Sequence, residues 1–199
     1  NGIPLNSPMH GGVDMSLIPI NFTDAVSILY SGASMSSANS ELGGTIQMHS
    51  RFQWGKGFSM QLLSSAGSYG SLDEALNLDY STKNLSLSTR AFYSQAENDF
   101  LYENTDIIEG PEMQRENADF TAYGIMQSLN WHPLEHHFLG IDVWGQESER
   151  GVPGLSTNES GVKNNISRQK DHQLRAALKW KIYSGTWVLN MHSAMDYQL

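Results

Sequence analysis

A chain of 199 residues is long enough for one or two domains with a core, and its formal net charge of −9 argues against a nucleic-acid-binding surface, which needs a basic face. Cysteine is absent, which excludes a disulfide framework and any site built on thiolates. No apolar run approaches the roughly 20 residues of a spanning helix, which excludes a helical membrane protein but not barrel strands, whose alternating side chains keep the average hydropathy low.

Residues 1–50 differ in composition from the rest of the chain, since they are rich in glycine and serine. Their apolar runs are short: 18–20, 26–29 and 45–48. Such runs, separated by small residues, predict a compact domain of short strands and loops. We therefore place a domain boundary at residue 50, with strands over 51–199. Because Asn1 is not an initiator and the last residues stop inside a strand pattern, we expect the chain to be a fragment.

From about Gly57 onward, apolar and polar side chains alternate with a period of two residues. This period is that of a strand with one apolar face, not that of a helix. Seven segments carry the apolar phase: 58–62, 76–80, 85–93, 121–131, 139–143, 174–182 and 187–191. The opposite phase includes charged residues: Arg90, Asp142, Arg175, Lys179 and Lys181. The pattern predicts an all-β fold of antiparallel strands with one apolar face.

The connections between these segments are of two kinds. Tight breaks occur near 82–84, 132–136 and 183–186, and longer polar stretches lie between them at 65–73, 97–117 and 148–169. Strict alternation of short turns and long loops is typical of outer-membrane barrels, which have tight turns at one end and long loops at the other. A soluble sandwich has no reason for this asymmetry.

Aromatic residues also favour a barrel in a membrane. Tyr80, Trp131, Trp180 and Trp187 lie beside the short turns, in the apolar phase of their strands. Such rings prefer the interface between lipid and water, and the charges of the opposite phase would then point into a wet or plugged lumen. An amphipathic sheet over a soluble core is the alternative, which leaves open a soluble all-β domain that binds glycans through its aromatic residues.

Three segments of residues 1–50 carry a resemblance to a known family. Asn1-Gly2-Ile3-Pro4-Leu5-Asn6 resembles the plug element "D-G-hydrophobic-x-L-N" of TonB-dependent outer-membrane receptors. Gly12-Val13-Asp14-Met15-Ser16-Leu17-Ile18-Pro19 is similar to the plug's "D-L-S-x-I-P" element, and Leu42-Gly43-Gly44-Thr45-Ile46 to the strand that ends the plug. Asn98-Asp99-Phe100 and Val152-Pro153-Gly154 resemble barrel-loop elements of the same family. The branch most similar is that of cobalamin and siderophore receptors.

The resemblance implies a transmembrane barrel of about 22 strands closed around an N-terminal plug. The chain would then hold the C-terminal part of the plug at 1–50 and about seven of the barrel strands at 51–199. It further implies a receptor in the bacterial outer membrane that binds a scarce nutrient, such as cobalamin or a ferric siderophore, and passes it inward when TonB pulls on the plug. Its implied partners are outer-membrane lipid, the small-molecule nutrient, and TonB through a segment absent from this chain.

One departure from the family pattern affects this function. Tyr30-Ser31 stands where the family usually has an arginine–glycine pair, and that plug arginine pairs with barrel carboxylates in the family. Its loss leaves those acids without a partner or implies that they have changed too. A receptor-derived, non-transporting structural subunit, held with a partner lipoprotein or other envelope subunits, is therefore an alternative function.

Candidates for metal or catalytic chemistry are weak. Pro133 sits badly in the helix that a zinc motif at 132–137 would need, so a solvated turn is favoured there over a metal site. The acidic residues of the loop at 97–117 could hold calcium, but no calcium-loop pattern is present and a hydrated loop is favoured. No Gly-x-Ser-x-Gly elbow or phosphate loop occurs. We expect no enzymatic activity, no cofactor and no nucleic-acid partner.

Ligand contacts are expected from the plug apex and the long loops, because loops on a rigid scaffold carry recognition. The candidates from the plug are Ser7, Met9, His10, Ser34, Ser36 and Asn39. Those from the loops are Tyr69, Phe100, Tyr102 and Leu155. The aromatic members could stack on a planar or amphipathic ligand. Packing within the loops is the alternative role for each of them.

Overall fold

The strands in the described part of the chain fall into three sheets. The computed structural model describes residues 3, 5–6, 12–30, 44–103, 112–154 and 166–199. Two 3-10 turns, Met15–Leu17 and Ile20–Phe22, come first. The strands are β1 (Ala25–Tyr30), β2 (Gly44–His49), β3 (Gly57–Ala66), β4 (Leu72–Ser81), β5 (Leu85–Ala96), β6 (Leu101–Glu103), β7 (Glu112–Gln114), β8 (Phe120–Leu134), β9 (His137–Gly151), β10 (Arg168–Ser184) and β11 (Trp187–Gln198). Among the described residues, no helix is long and apolar enough to cross a membrane.

The main sheet has seven antiparallel strands in the order β11-β10-β9-β8-β5-β4-β3. Strands that follow one another in the chain are neighbours in the sheet, apart from the small β6–β7 hairpin inserted between β5 and β8. All seven predicted strand segments are confirmed, each extended at one or both ends. Among the strands that the structure describes, β1 and β2 pair with each other alone, in a separate sheet.

The two faces of the main sheet are polar inside and apolar outside. Its buried side chains include charged ones: Arg90, Asp142 and Arg175, the last only 3% exposed. Apolar side chains of the other face lie in the open, as Ile125 does with 53% of its surface exposed. The predicted phases are therefore confirmed, and the sheet is a segment of an antiparallel β-barrel whose outer face is apolar.

Aromatic side chains lie near both ends of the outer face. Tyr80, Trp131, Trp180 and Trp187 are exposed near the short turns, as predicted. A second group lies toward the opposite ends of the strands, where Tyr93 pairs in register with Tyr123 and Tyr197 is exposed three strands further on. Trp131 lies eight positions after Tyr123 along β8, which corresponds to roughly 26 Å of strand. This second group was not predicted from the sequence.

Several predicted connections have different lengths in the structure. The break at 82–84 is confirmed, but β8 continues through Leu134 with a register shift after Trp131, so the turn predicted at 132–136 is only Glu135-His136. The stretch at 65–73, predicted to be long, is a five-residue connection at 67–71. It turns sharply because Tyr69 and Gly70 adopt φ values of 58° and 67°. Short and long connections therefore do not alternate strictly.

Candidate functional site

An apolar patch on the inner face of the sheet receives the N-terminal part of the chain. Phe22, which is 4% exposed, packs edge-to-face on Phe92 at 5.4 Å and on Trp144 at 5.6 Å between ring centroids. Met126 completes this buried cluster, and Leu5 and Ile18 pack against it. Edge-to-face rings at these distances are favourable in addition to the area that they bury. Residues 12–24 are therefore held on the sheet by a small hydrophobic core.

The signal for this patch was present in the sequence. Phe92, Met126 and Trp144 occupy the polar phase of β5, β8 and β9, where small or polar residues dominate. Met126 pairs in register with both Arg90 and Trp144, so the three strands bring bulky side chains to one level of the inner face. Bulky apolar residues in the wrong phase therefore mark where another element docks.

Polar contacts fix the orientation of the docked segment. The Gln146 side-chain amide donates to the Leu17 carbonyl at 2.7 Å, and its oxygen accepts from Trp144 Nε1 at 3.0 Å. Asn21 Nδ2 donates to the Ala91 carbonyl at 3.1 Å. Ser50 Oγ donates to the Phe22 carbonyl at 2.9 Å. Backbone carbonyls of 17 and 22, which no regular strand satisfies, thus find side-chain donors.

Gly124 makes room for these contacts. A Cβ at this position would lie 2.7 Å from Gln146 Cβ, 2.8 Å from Phe92 Cε1 and 2.8 Å from the Gly145 carbonyl oxygen. Such distances are well below ordinary van der Waals contact, and a backbone oxygen has little freedom to move. Only glycine therefore allows Phe92 and Gln146 to meet the docked segment over β8.

Ion pairs across the same contact place acids on the N-terminal side and arginines on the sheet. Arg150 Nη2 lies 3.1 Å from Asp14 Oδ2, and Arg90 Nη2 lies 3.8 Å from Asp24 Oδ1. Arg90 also binds both carboxylate oxygens of Asp79 through Nη1, at 2.9 and 3.0 Å. This polarity is opposite to that of the plug arginine and barrel carboxylates in the family that the sequence resembles. Hydrogen bonds from Ser16, with the Arg150 guanidinium adding to them, lower the pKa of Asp14.

Further charges on the inner face are paired along the strands. Lys179 Nζ lies 3.6 Å from Asp142 Oδ2, and Ser128 Oγ donates to Asp142 Oδ1 at 2.6 Å. Arg175 lies 4.7 Å from the centre of the Trp144 ring and, through Nε, 3.1 Å from Asp196 Oδ1. Buried charges are tolerated only when they are paired in this way. The inner face is thus polar but largely neutralised.

Two of the predicted loop residues, Tyr69 and Phe100, are brought close together. Tyr69 and Phe100 meet edge-to-face with ring centroids 6.0 Å apart, and both are exposed. Tyr102 is half-buried, with the Arg115 guanidinium 5.8 Å from its ring centre. Arg115 also donates through Nη2 to the Gly154 carbonyl at 2.9 Å, which joins the two long connections. The remaining predicted ligand residues lie outside the described part of the chain: Ser7, Met9, His10, Ser34, Ser36, Asn39 and Leu155.

The predicted histidine turn forms part of an aromatic cluster. His132 lies 4.9 Å from Trp54 and 5.2 Å from Phe138 between ring centroids, and Phe52 packs on both Trp54 and Phe138. The His132 Nδ1 atom lies 3.1 Å from the His137 carbonyl oxygen. Among the described residues, no three histidine, aspartate or glutamate side chains are grouped so that they could hold a metal ion. This cluster fixes the segment at 51–56 to the short-turn end of the sheet.

Comparison with known proteins relates the fold to that of a transporter. No family model and no curated protein sequence matches the chain. Among solved structures, the copper transporter OprC matches with a TM-score of 0.68 and 13% identity, over 99% of this chain and 28% of that chain. The chain thus spans little more than a quarter of OprC and shares its fold over that part. Fold and site together define a β-barrel segment with a polar inner face on which an N-terminal segment is docked.

Proposed function

We propose that the chain is part of an outer-membrane receptor of the TonB-dependent type, which binds a small-molecule nutrient outside and passes it inward. The main observation in support is the placement of side chains on the two faces of the sheet: apolar side chains such as Ile125 are exposed on the outer face, and charged ones such as Arg90 are buried on the inner face. Such an arrangement suits lipid around the sheet and a plugged, polar lumen within it. The likeness in fold to a copper transporter supports transport of a nutrient in general.

Two groups of aromatic residues support a position in a bilayer. The Trp131 level and the Tyr123 level are roughly 26 Å apart along β8, or about 20 Å along the barrel axis at a strand tilt of about 40°, so both rows of rings lie near the edges of an apolar band of about 25 Å. Between them the outer face of this strand carries Ile125, Gln127 and Leu129. The short turns would then face the periplasm and the long connections the outside.

In this proposal, residues 1–50 are the C-terminal part of the plug and residues 51–199 the first strands of the barrel. The docked segment is held by one small apolar cluster around Phe22 and by partly exposed ion pairs such as Asp14–Arg150. Contacts of this size can be broken by a mechanical pull without unfolding the sheet, whose seven strands are joined by continuous ladders. TonB would supply that pull through a segment outside this chain.

The nutrient is proposed to be cobalamin or a ferric siderophore, and no catalytic step is required of the chain. The exposed pair Tyr69 and Phe100 lies at the long-connection end of the sheet, where a ligand from outside would arrive first. Aromatic faces of this kind can stack on a planar or amphipathic ligand. The other predicted ligand residues would extend this contact to the plug apex and the last long loop.

A receptor-derived, non-transporting subunit of an outer-membrane complex is the second candidate. Tyr30, where the family usually has the plug arginine, is 71% exposed, and the described ion pairs of the plug use acids instead of arginines. A partner lipoprotein or other envelope subunit would then contact the chain. A soluble glycan-binding domain is disfavoured, because the apolar outer face is too continuous to remain in water.

Cell fractionation and uptake measurements test the proposal. The intact protein should be in the outer membrane, should need detergent, and should keep its barrel in unheated gels; a monomeric, detergent-free protein with native strand content would refute it. Cells should take up cobalamin or a ferric siderophore only while TonB is active, and Tyr69→Ala with Phe100→Ala should lower uptake. Tyr80→Ala, an exposed aromatic residue at the other end of β4, is the matched control. Correct insertion without uptake would favour the structural subunit.

A further inference from the structure

A cavity lies between the docked N-terminal segment and the inner face of the sheet. Its volume is about 570 Å³, and residues 16–21 form one wall while β3, β4, β5, β8 and β9 form the others. Cavities of about 300–1,000 Å³ are typical of sites for small organic ligands. The strand residues that line it, such as Ser94 and Ser148, are near the ends that lead to the long connections. It is therefore open to a ligand that arrives from that side.

One part of the cavity wall is apolar. Ile18, Ile20, Phe92 and Phe120 contribute to it. Ile20 keeps 87% of its surface exposed although it lies on the polar side of the sheet. An isoleucine this exposed gains free energy when an apolar group covers it and water is released. The wall thus offers a surface for the apolar body of a ligand.

The polar part of the cavity contains a carboxylate that is not paired with any lysine or arginine in the described part of the chain. Asp73 lines the cavity and accepts a hydrogen bond from Ser94 Oγ at 2.5 Å. Asp79, which lies on the same face of β4, is bound by Arg90 at 2.9 Å, whereas no lysine or arginine among the described residues pairs with Asp73. A carboxylate left with one neutral donor has capacity for a cationic donor.

We propose that this cavity binds an amphipathic organic cation, with its apolar body against Ile18, Ile20 and Phe92 and its ammonium group at Asp73. This inference goes beyond the proposed receptor function, because it assigns to the space between the docked segment and the sheet a small ligand other than the nutrient named above. A bare metal ion fits less well, because no three carboxylate or histidine side chains are grouped as metal ligands among the residues described. An anionic ligand is excluded from the Asp73 end by charge repulsion.

Three small probes that share one apolar body test the charge requirement. Binding of 2-phenylethylamine, 2-phenylethanol and 3-phenylpropionate to the intact protein in detergent is measured by calorimetry at neutral pH. The amine should bind about tenfold more tightly than the alcohol, because its ammonium group forms an ion pair with the carboxylate, whereas the alcohol donates only a hydrogen bond from a neutral group. The acid should bind more weakly than the alcohol. Equal affinity for amine and alcohol would overturn the proposal, as would displacement of the amine by stoichiometric Cu²⁺.

Substitutions then locate the site. Asp73→Asn should weaken amine binding about tenfold and leave alcohol binding within about twofold, since only the charge is removed. Ile20→Ser should weaken both probes, and Ser94→Ala, which frees a carboxylate oxygen, should keep or tighten amine binding. Glu135→Gln, in the turn at the opposite end of the sheet, is the matched charge control and should change nothing. Unchanged amine binding by Asp73→Asn would place the probe elsewhere and refute the site.

Independent measurements distinguish a folding defect from a loss of binding, and failure of the cavity inference from failure of the receptor function. Each variant must first keep its barrel in unheated gels. If Asp73→Asn does not keep its barrel, Ser94→Ala is used in its place. A tenfold loss of amine affinity in Ser94→Ala would then contradict the proposal. If the protein is inserted in the outer membrane and takes up a nutrient but shows no preference for the amine, the cavity inference fails and the receptor function stands. If the amine preference holds without membrane insertion, the reverse is true.

Discussion

Arg150 of β9 donates from Nη2 to Asp14 Oδ2 at 3.1 Å and so joins two residues that are 136 positions apart. Asp14 also accepts from the Ser16 hydroxyl at 2.6 Å and from the Ser16 amide at 3.0 Å. The Ser16 hydroxyl is the largest cause of the lowered pKa of Asp14, and the guanidinium of Arg150 contributes to it. The ionised carboxylate therefore organises the 3-10 turn at Met15–Leu17 and ties it to the sheet.

This arrangement predicts an acid-sensitive contact. Because the pKa of Asp14 is lower in the folded state, its stabilising contribution is fully present above the unfolded pKa of about 4 and is lost as the pH falls through the folded pKa. Hydrogen-exchange protection of the Ser16 amide, corrected for intrinsic rates, should fall over that range. In Asp14→Asn it should be lower at neutral pH and independent of pH there. Protection in the unsubstituted protein that persists well below the folded pKa would contradict this.

Two glycines on neighbouring strands are predicted to respond unequally to one added methyl group. Gly124→Ala would bring Cβ within 2.8 Å of the Gly145 carbonyl oxygen and of the Phe92 ring, so we expect destabilisation by about 1–3 kcal/mol from overpacking. Gly145→Ala meets only Leu174 Cδ1, at 3.9 Å, and should change stability by less than about 0.5 kcal/mol. Urea unfolding in detergent measures both. Similar effects of the two substitutions would show that the inner contact is loosely packed.

Removing the charge of either acid that pairs with Arg90 should lower the free energy of unfolding, and the loss should be larger for Asp79 than for Asp24. Asp79→Asn breaks a pairing of both carboxylate oxygens at 2.9 and 3.0 Å, and should cost about 1–2 kcal/mol after allowance for the partial exposure of Asp79. Asp24→Asn loses a contact of 3.8 Å and should cost less than about 0.5 kcal/mol. Unfolding free energies of the two variants give the comparison. A larger cost for Asp24→Asn would mean that Arg90 is held mainly by the N-terminal segment.

Strand direction predicts the sidedness of the connections. β8 and β9 are joined by the turn at Glu135-His136, and β9 and β10 by the connection that begins at Val152. Because successive connections of an antiparallel barrel lie at opposite ends, an epitope inserted at Gly154 should be labelled on whole cells. One inserted at Glu135 should be labelled only after the outer membrane is opened. Labelling of both sites on intact cells would refute this topology.

The strands of the main sheet were determined by local sequence. Residues 121–131 and 174–182 alternate apolar and polar side chains, and a strand turns successive side chains to opposite faces, so the pattern alone specifies both the strand and its outer face. The pattern also indicates that the apolar face is outside and the charged face inside, because Arg90 and Arg175 occur in the phase opposite to the apolar one. The predicted length of the connection at 65–73 was wrong because Tyr69 and Gly70 turn the chain within five residues.

The docking of residues 12–24 was decided only by the tertiary structure. Phe22 meets Phe92 and Trp144, and Gln146 donates to the Leu17 carbonyl, between positions that no sequence period relates. The apolar exceptions Met126 and Trp144 were visible in the sequence, but their partner was not, because a side chain's phase fixes its face and says nothing of what covers that face. The same holds for Asp73 and Asp79, which share one face of β4: only the fold brings Arg90 to one of them and a cavity to the other.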